Sequence, residues 1–216
     1  MKYEAVFFDL DGTVADTLQN ITDALNHTLR QFGRREYAPE AVKPHLGHGV
    51  DYLVRQLAPE IPEAEAVEIL RAYRPYYAQH TTDNVRPYAG ILPALEQLRQ
   101  LGLKLALVSN KPDAAVQPLA AAFFGDLFHY AIGEQPGLAR KPAPAMLYRA
   151  AEVLGVELSR CLYVGDSEVD LQTARNGGMD CLAVTWGFRT RQQLEQAGAA
   201  TLTDSPAGIV AYVRAA

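Results

Sequence analysis

Short apolar runs recur along the chain and predict a set of buried strands. They occupy residues 5–8, 103–108, 130–132, 161–164 and 181–184, and polar or glycine residues bound each of them. Runs of this length without strict alternation of polar residues are typical of strands that are covered on both faces. The pattern therefore indicates a sheet that lies inside the molecule.

Segments with helical spacing of apolar residues separate these strands. The spacing predicts helices over 93–101, 113–123, 145–154 and 169–176, and a final helix that contains 209–213. Strands that alternate with helices form parallel sheets with helices on both faces. The predicted fold class is α/β, a doubly wound parallel sheet with a Rossmann-like core.

A long helical block interrupts this alternation between the first and second strands. Leu18, Ile21, Leu25 and Leu29 follow helical spacing, and three further helical segments follow: one that Pro39 can start, one around 52–57 and one around 67–73. We expect residues 17–84 to form a small helical domain. Residues 1–16 and 85–216 then form the α/β core domain.

Composition and charge narrow the range of partners. The 216 residues carry a formal net charge of −5, and the basic residues form no tract, which argues against nucleic acid as a ligand. The longest apolar stretch, 119–124, is too short to span a bilayer, and the apolar run at 5–8 is cut short by Asp9 and fails as a signal peptide. We expect a cytoplasmic protein without a membrane partner. Whether it is a monomer or a homodimer stays open.

Polar side chains that can bind ligands or take part in catalysis follow four of the predicted strands. They are Asp9 and Asp11 after the first strand, Ser109 and Asn110 after the second, Lys141 after the third, and Asp166 and Asp170 after the fourth. Parallel strands place their carboxyl ends on one edge of a sheet, so these groups should be neighbours.

Each of these residues also has an ordinary structural explanation when it is taken alone. Ser109 or Asp166 can cap a helix, Lys141 can be a solvated loop cation, and Asp170 can be a first-turn carboxylate that the helix dipole favours. Taken together, the acids, the hydroxyl and the lysine at successive strand ends predict a magnesium and phosphoryl site.

The same residues resemble the four sequence motifs of the haloacid dehalogenase superfamily, in that family's order. The motifs are matched by Asp9-Leu10-Asp11-Gly12-Thr13-Val14, Ser109-Asn110, Lys141-Pro142 and Gly165-Asp166-Ser167-Glu168-Val169-Asp170. The helical block is similar in position and size to the family's first type of cap domain. Within the superfamily, Gly47-His48-Gly49 and Trp186-Gly187-Phe188 most resemble phosphoglycolate phosphatases.

The resemblance implies a magnesium cofactor and an aspartate nucleophile. Mg²⁺ would be held by the Asp9 carboxylate, the Asp11 main-chain carbonyl and the Asp166 carboxylate, with Asp170 orienting the ligands from outside the coordination shell. Asp9 would attack phosphorus to give an aspartyl phosphate, and Asp11 would act as acid and then as base.

The remaining motif residues would bind the phosphoryl group, and the cap would select the substrate. Lys141 would offset the negative charge, Ser109, Thr13 and the backbone near Leu10 and Asn110 would hold the phosphoryl oxygens, and the specificity candidates in the cap are His45, Gly47, His48, Gly49 and Arg55. We interpret Trp186 as a packing residue.

The predicted function is magnesium-dependent hydrolysis of a small phosphate monoester. The first candidate substrate is 2-phosphoglycolate, followed by pyrophosphate, nucleoside monophosphates and sugar phosphates. A phosphomutase or a pyrophosphatase of the same superfamily is an alternative. A dehalogenase needs neither a metal nor an acid two residues after its nucleophile, so Asp11 and Asp166 argue against it. A phosphoacceptor signalling module is a more distant alternative, because its acceptor follows a middle strand and it lacks the helical insertion.

Overall fold

The computed structural model describes residues 2–216 and contains the predicted parallel sheet. Six strands lie in the order β5-β4-β1-β6-β7-β8, and every neighbouring pair is parallel. The strands of this sheet are β1 (Ala5–Phe8), β4 (Lys104–Pro112), β5 (Tyr130–Glu134), β6 (Cys161–Gly165), β7 (Asp180–Val184) and β8 (Leu202–Thr203). The strand that begins the chain is thus central in the sheet.

Alternate residues of the central strands enter two different hydrophobic clusters. Val6 and Phe8 of β1 pack into one cluster, and Ala5 and Phe7 pack into another on the opposite face. The whole of β1 is buried. This double burial explains why the strands appear in the sequence as continuous apolar runs, and it confirms the predicted fold class.

Helices cover both faces of the sheet. They are α5 (Ile91–Gln100), α6 (Asp113–Phe124), α7 (Ala145–Leu154), α8 (Glu168–Gly177), α9 (Arg191–Gln196) and α10 (Pro206–Ala215). Sequence periodicity predicts α7 with the observed bounds, whereas α5 begins two residues before the predicted Pro93. The short α9 and the two-residue β8 lack a periodic signal long enough to predict.

The block between β1 and β4 contains helices α1 (Leu18–Gln31), α2 (Pro39–Val42), α3 (Val50–Leu57) and α4 (Glu63–Gln79). These helices bury a hydrophobic cluster of their own, to which Ala115 and Phe188 from outside the block also contribute. Two short antiparallel strands, β2 (Ala15–Asp16) and β3 (Arg86–Pro87), pair at the two points where the chain enters and leaves the block. Neither of these strands is predicted by the sequence pattern.

Across residues 2–216, every helix falls short of the combined length and apolarity that crossing a bilayer requires.

Candidate active site

Three carboxylates that are distant in the sequence meet at the carboxyl edge of the sheet. One oxygen each from Asp9, Asp166 and Asp170 lies within 4.8 Å of the others. All three residues are buried, with exposed fractions of 4%, 1% and 0%. The convergence follows from topology, because β1 and β6 are parallel neighbours and Phe8 stands in register with Val164.

Lys141 compensates part of this negative charge. Its Nζ lies 2.8 Å from Asp9 Oδ1 and 2.8 Å from Asp170 Oδ1, and it donates a hydrogen bond of 3.0 Å to Tyr163 Oη. Burial works against the charged ammonium, but the attraction of Asp170 and Asp9 outweighs it and raises the pKa of Lys141 well above its ordinary value. Lys141 is therefore a permanently charged part of the site.

The carboxylates are not fully neutralised by this lysine. Burial raises the pKa of Asp9 to about 7 against the attraction of Lys141, and repulsion from Asp170 and Asp11 adds to the rise. Burial, together with the charges of Asp170 and Asp9, also raises the pKa of Asp166 well above its ordinary value. Oδ1 of Asp9 is buried, and its one polar partner within the described chain is the Lys141 ammonium, which it shares with Asp170.

This combination of groups fits a divalent cation. Mg²⁺ prefers hard oxygen ligands, and it is held in proteins by one or two carboxylates together with substrate oxygens. A buried carboxylate that shares its one cationic partner with a second acid, in a group of acids whose mutual repulsion is incompletely offset, is the kind of ligand that such an ion requires.

Asp166 is fixed from two sides, and two glycines make room for it. Oδ1 accepts a 3.2 Å hydrogen bond from Thr13 Oγ1, and Oδ2 accepts one of 2.6 Å from the Phe188 amide. A Cβ atom on Gly12 would lie 2.4 Å from Asp166 Oδ2, and one on Gly187 would lie 2.3 Å from it. The chain thus closes around this carboxylate at positions where no side chain fits.

Asp170 differs from the other two acids because it accepts four hydrogen bonds from the described chain, two on each oxygen. Oδ2 accepts hydrogen bonds from the Ser167 amide at 3.1 Å and from Ser167 Oγ at 2.6 Å, while Oδ1 accepts from Lys141 and, at 3.3 Å, from Tyr163 Oη. An acid that accepts this many hydrogen bonds from neighbouring residues is suited to orienting Lys141 and the N-terminus of α8.

Asp11 lies beside the three-acid group, and its side chain has different partners. Oδ1 accepts a 2.6 Å hydrogen bond from Thr17 Oγ1 and one of 2.7 Å from Lys111 Nζ. Lys111 is a site residue that the sequence interpretation missed. The signal was present, because Lys111 directly follows Ser109-Asn110 in the same polar run after an apolar strand.

Asn110 joins the end of β4 to two other segments. Its side-chain amide donates to the Lys141 carbonyl at 2.9 Å and to the Gly47 carbonyl at 3.0 Å, and its Oδ1 accepts from the Lys141 amide at 2.8 Å. Ser109, also buried, accepts a 3.2 Å hydrogen bond from the Lys111 amide. Asn110 therefore positions the backbone that carries Lys141.

A cavity of about 60 Å³ lies between the strand ends and the helical block. The core contributes its charged and polar floor, and the helical block contributes an apolar and aromatic wall. Its lining consists of Asp9, Asp11, Ser109, Asn110, Lys111, Pro112, Lys141, Ile21, Leu46, Gly47, Gly49, Val50, Leu53, Tyr73 and Tyr77.

Of the specificity candidates in the helical block, the structure brings only the two glycines to this cavity. Gly47 and Gly49 line it, whereas His45, His48 and Arg55 are not part of the lining that the described chain provides. Arg55 pairs with Glu63 at the surface, and His48 stacks on Tyr52 with ring centroids 4.5 Å apart.

Two further positions from the sequence interpretation have clear structural surroundings. The Leu10 side chain is buried in the core, and its carbonyl accepts backbone hydrogen bonds from the turn that follows. Trp186 packs against the core, and its Nε1 donates a 3.0 Å hydrogen bond to the Thr13 carbonyl. This tryptophan therefore supports the loop that carries Thr13.

Comparison with known proteins gives a consistent result. Residues 6–184 match the family model described as haloacid dehalogenase-like hydrolase. A phosphoglycolate phosphatase of Pseudomonas putida is 31% identical over 97% of this chain and 77% of its own length. One from Aquifex aeolicus is 32% identical over 85% of each chain. The structure also superimposes on a crystal structure from Lactobacillus delbrueckii, with a TM-score of 0.91, 43% identity and 97% of each chain covered. That protein has been named provisionally as a phosphoglycolate phosphatase.

Proposed function

The chain belongs to the haloacid dehalogenase-like hydrolase family, and we propose that it is a magnesium-dependent phosphatase that hydrolyses a small phosphate monoester. The first candidate substrate is 2-phosphoglycolate, on which the names of its relatives agree. The observation that carries the proposal is the buried group of Asp9, Asp166 and Asp170 with Lys141 against two of its members.

In the proposed site, the Asp9 and Asp166 carboxylates and the Asp11 main-chain carbonyl hold Mg²⁺, and Asp170 orients its surroundings. Bound there, the ion offsets the repulsion between an anionic ester and an anionic nucleophile. The observed contacts support this division, because Asp170 accepts four hydrogen bonds from the described chain, whereas Asp166 accepts two and Asp9 Oδ1 has only the ion pair with Lys141.

Asp9 is the proposed nucleophile. One of its oxygens bonds to phosphorus as the bond between phosphorus and the ester oxygen breaks, which leaves an aspartyl phosphate. Asp11 donates its proton to the departing oxygen. Asp11 then takes a proton from water, whose oxygen attacks phosphorus and releases phosphate and the free Asp9 carboxylate.

Lys141, Ser109, Thr13 and the backbone near Leu10 and Asn110 are the proposed binding groups for the phosphoryl oxygens. Lys141 supplies a fixed positive charge beside the nucleophile. Its position is supported by Asn110, which makes hydrogen bonds to both the amide and the carbonyl of Lys141.

Residues 17–84 are the proposed cap domain, and residues 1–16 with 85–216 are the proposed core domain. The separate hydrophobic cluster of the helical block supports this division, as does the pairing of β2 with β3 at its two crossing points. Asn20 also connects the start of the block to its end, since its side-chain amide donates hydrogen bonds of 2.7 Å to the carbonyls of both His80 and Asp83. A cap in this place excludes water from the cavity below it.

The test is phosphate release from a panel of esters with Mg²⁺ and with a chelator. The panel contains 2-phosphoglycolate, a nucleoside monophosphate, a sugar phosphate and pyrophosphate, and kcat/KM is compared across it. We expect hydrolysis that requires Mg²⁺ and is fastest with 2-phosphoglycolate. Hydrolysis that a chelator leaves intact would contradict the proposed function.

A further inference from the structure

Lys111 has hydrogen-bonding capacity that the protein does not use. Its side chain is 3% exposed, and within the described chain its Nζ donates one hydrogen bond, to Asp11 Oδ1. An ammonium group carries three N–H donors. Lys141 offers a direct contrast, because three oxygen atoms of the protein surround its Nζ. Since Lys111 lines the cavity, its unused donors are available to a bound molecule.

Tyr77 provides a second unused donor on the same cavity. The residue is 3% exposed, and its Oη is buried without a hydrogen-bond partner in the described chain. Burial, with the nearby Asp11 charge, raises the pKa of Tyr77 well above its ordinary value, so the phenol keeps its proton. Lys111 Nζ lies 4.9 Å from the centre of the Tyr77 ring, and both side chains line the same cavity.

A buried phenol without a partner is costly, and natural structures seldom leave one unexplained. On the side of the helical block, most of the cavity wall beside Tyr77 is apolar, with Ile21, Val50 and Leu53, and one further phenol, Tyr73, stacks on the Tyr77 ring. Two donors in a mostly apolar surrounding are suited to one acceptor group on the organic part of a substrate.

The surroundings of Lys111 indicate that this acceptor is negatively charged. The Lys111 side chain is a buried ammonium, and within the described chain it donates a single hydrogen bond, to Asp11 Oδ1. Hydrogen bonds from an ammonium to a carboxylate are roughly twice as strong as those between neutral groups. A carboxylate on the substrate, close to the leaving oxygen, would accept from the Lys111 donors that the protein leaves unused.

We propose that Lys111 and Tyr77 form the subsite that selects phosphate esters of short 2-hydroxy acids by binding the substrate carboxylate. This inference rests on the proposed phosphatase function and assigns it a substrate class. In such an ester one carbon separates the carboxylate from the leaving oxygen. The carboxylate therefore lies beside Asp11, where Lys111 is held.

The first test is Tyr77→Phe, which removes only the unpartnered hydroxyl and so leaves the internal hydrogen bonds intact. The variant is assayed with 2-phosphoglycolate and with ethyl phosphate, which has the same leaving oxygen but no carboxylate. We expect kcat/KM for 2-phosphoglycolate to fall about 10- to 100-fold, as for the loss of a hydrogen bond to a charged group. For ethyl phosphate it should change less than about twofold.

Tyr76→Phe is the matched control. Tyr76 lies on the same helix and loses the same atom, but it stacks on His27 and His80 away from the cavity. Both esters should react with the control as they do with the wild-type enzyme. An equal loss for both esters in Tyr77→Phe, or no loss for 2-phosphoglycolate, would overturn the proposed subsite.

Lys111→Met is the second variant, and its readout is the ratio of the two kcat/KM values. The loss of Lys111 affects Asp11, so kcat/KM should fall for both esters. The fall for 2-phosphoglycolate should be at least about 30-fold larger than the fall for ethyl phosphate, as for the removal of one partner of a buried charge pair. An unchanged ratio would overturn the role of Lys111.

The assays of the wild-type enzyme distinguish an error in the proposed subsite from an error in the proposed phosphatase function. Equal kcat/KM for 2-phosphoglycolate and ethyl phosphate would overturn the subsite and leave the phosphatase function standing. Failure to hydrolyse any ester of the panel with Mg²⁺ would overturn both.

Discussion

Asp9 is held between two opposing influences, burial and the charge of Lys141. Burial disfavours the carboxylate and dominates, which raises the pKa of Asp9 to about 7, while Lys141 at 2.8 Å favours the charged form. A carboxylate in this setting is poorly solvated and close to a counter-charge. These conditions favour the proposed attack of Asp9 on phosphorus once a cation is present.

Asp9→Asn should abolish turnover and stabilise the metal-free protein. A folded-state pKa raised to about 7 means that the Asp9 charge opposes folding above that pH, and that the opposition fades as the pH falls toward the unfolded-state value near 4. Urea unfolding in chelator should therefore show the variant more stable than wild type by about 1–3 kcal/mol at pH 8, with a smaller difference at pH 5. A variant less stable than wild type at pH 8 would contradict this explanation.

Gly187 and Gly33 offer a matched pair of glycine substitutions. A Cβ on Gly187 would lie 2.3 Å from Asp166 Oδ2 and 2.4 Å from the Gly12 carbonyl, so Gly187→Ala must displace the carboxylate. A Cβ on Gly33 meets nothing within 4 Å, although the φ of +64° there strains any side chain.

We expect Gly187→Ala to weaken magnesium activation of phosphate release by about tenfold or more, the range seen when the support of a metal ligand is disturbed. Gly33→Ala should lose stability only. The magnesium concentration for half-maximal activity measures this, and equal values for the two variants would refute the proposed metal contact of Asp166.

The individual site residues differ in how far the sequence could reveal them. Asp9, Asp166 and Lys141 each follow an apolar strand, so topology alone brings them together. Tyr163 and Tyr77 could not be predicted in this way, because a tyrosine inside a buried strand or on a helix face has the same pattern as a core residue. Their hydroxyl environments depend on contacts with residues far away in the chain.

The helical block is attached to the sheet by side chains of the core. Arg140 makes two hydrogen bonds to Asp51 at the start of α3, of 2.6 and 3.0 Å, and Arg189 donates 2.9 Å to the Leu46 carbonyl. With Asn110 on the Gly47 carbonyl, three core residues hold the segment that lines the cavity. These contacts fix the position of Gly47 and Gly49.

Asp51→Asn should loosen this attachment. Attraction to Arg140 lowers the pKa of Asp51 despite partial burial, which acts in the opposite sense. The pair therefore stabilises the protein above the unfolded-state pKa near 4, and the contribution is lost as the pH falls through the lower folded-state value.

Since both side chains are about one-third exposed, the expected loss at pH 7 is only about 0.5–1 kcal/mol. Urea unfolding of wild type and variant at pH 7 and at pH 3 measures it, and the difference should shrink at pH 3. A difference that is larger at pH 3 would contradict the assignment of the pair.

Element boundaries show why polar residues mislead sequence interpretation near a site. The pattern ends the second strand of the sheet at Val108, because Ser109-Asn110-Lys111 has the polarity of a loop. The structure extends β4 to Pro112, with all three polar residues buried. These polar groups face the site and not the solvent. The hydrophobic pattern of a sequence cannot distinguish polar residues in a buried site from polar residues in an exposed loop.

The molecule as a whole has separate hydrophobic clusters above the site and on each face of the sheet. The charged site lies at the boundary between the helical block and the sheet, where three buried acids, the half-buried Asp11 and two lysines meet. Two positive charges against four negative ones leave an excess of negative charge that opposes folding in the absence of a cation.

Magnesium should therefore stabilise the folded protein. At a concentration 100-fold above its Kd, one bound ion adds about 2.7 kcal/mol to the free energy of unfolding. The rise in Tm with Mg²⁺ should be present in wild type and in the surface control Glu152→Gln, and absent in Asp166→Asn. A full magnesium shift in Asp166→Asn would place the ion elsewhere.

The most direct measurement is the capture of the covalent intermediate. Wild-type protein is mixed with Mg²⁺ and 2-phosphoglycolate, quenched in acid within the first turnovers, digested and mapped by mass spectrometry. We predict one phosphoryl group on the peptide that contains Asp9, carried by that residue and absent when Mg²⁺ is chelated. Phosphate release without such an adduct, or an adduct on any other residue, would contradict the convergence of Asp9, Asp166 and Lys141 on a single phosphoryl-transfer site.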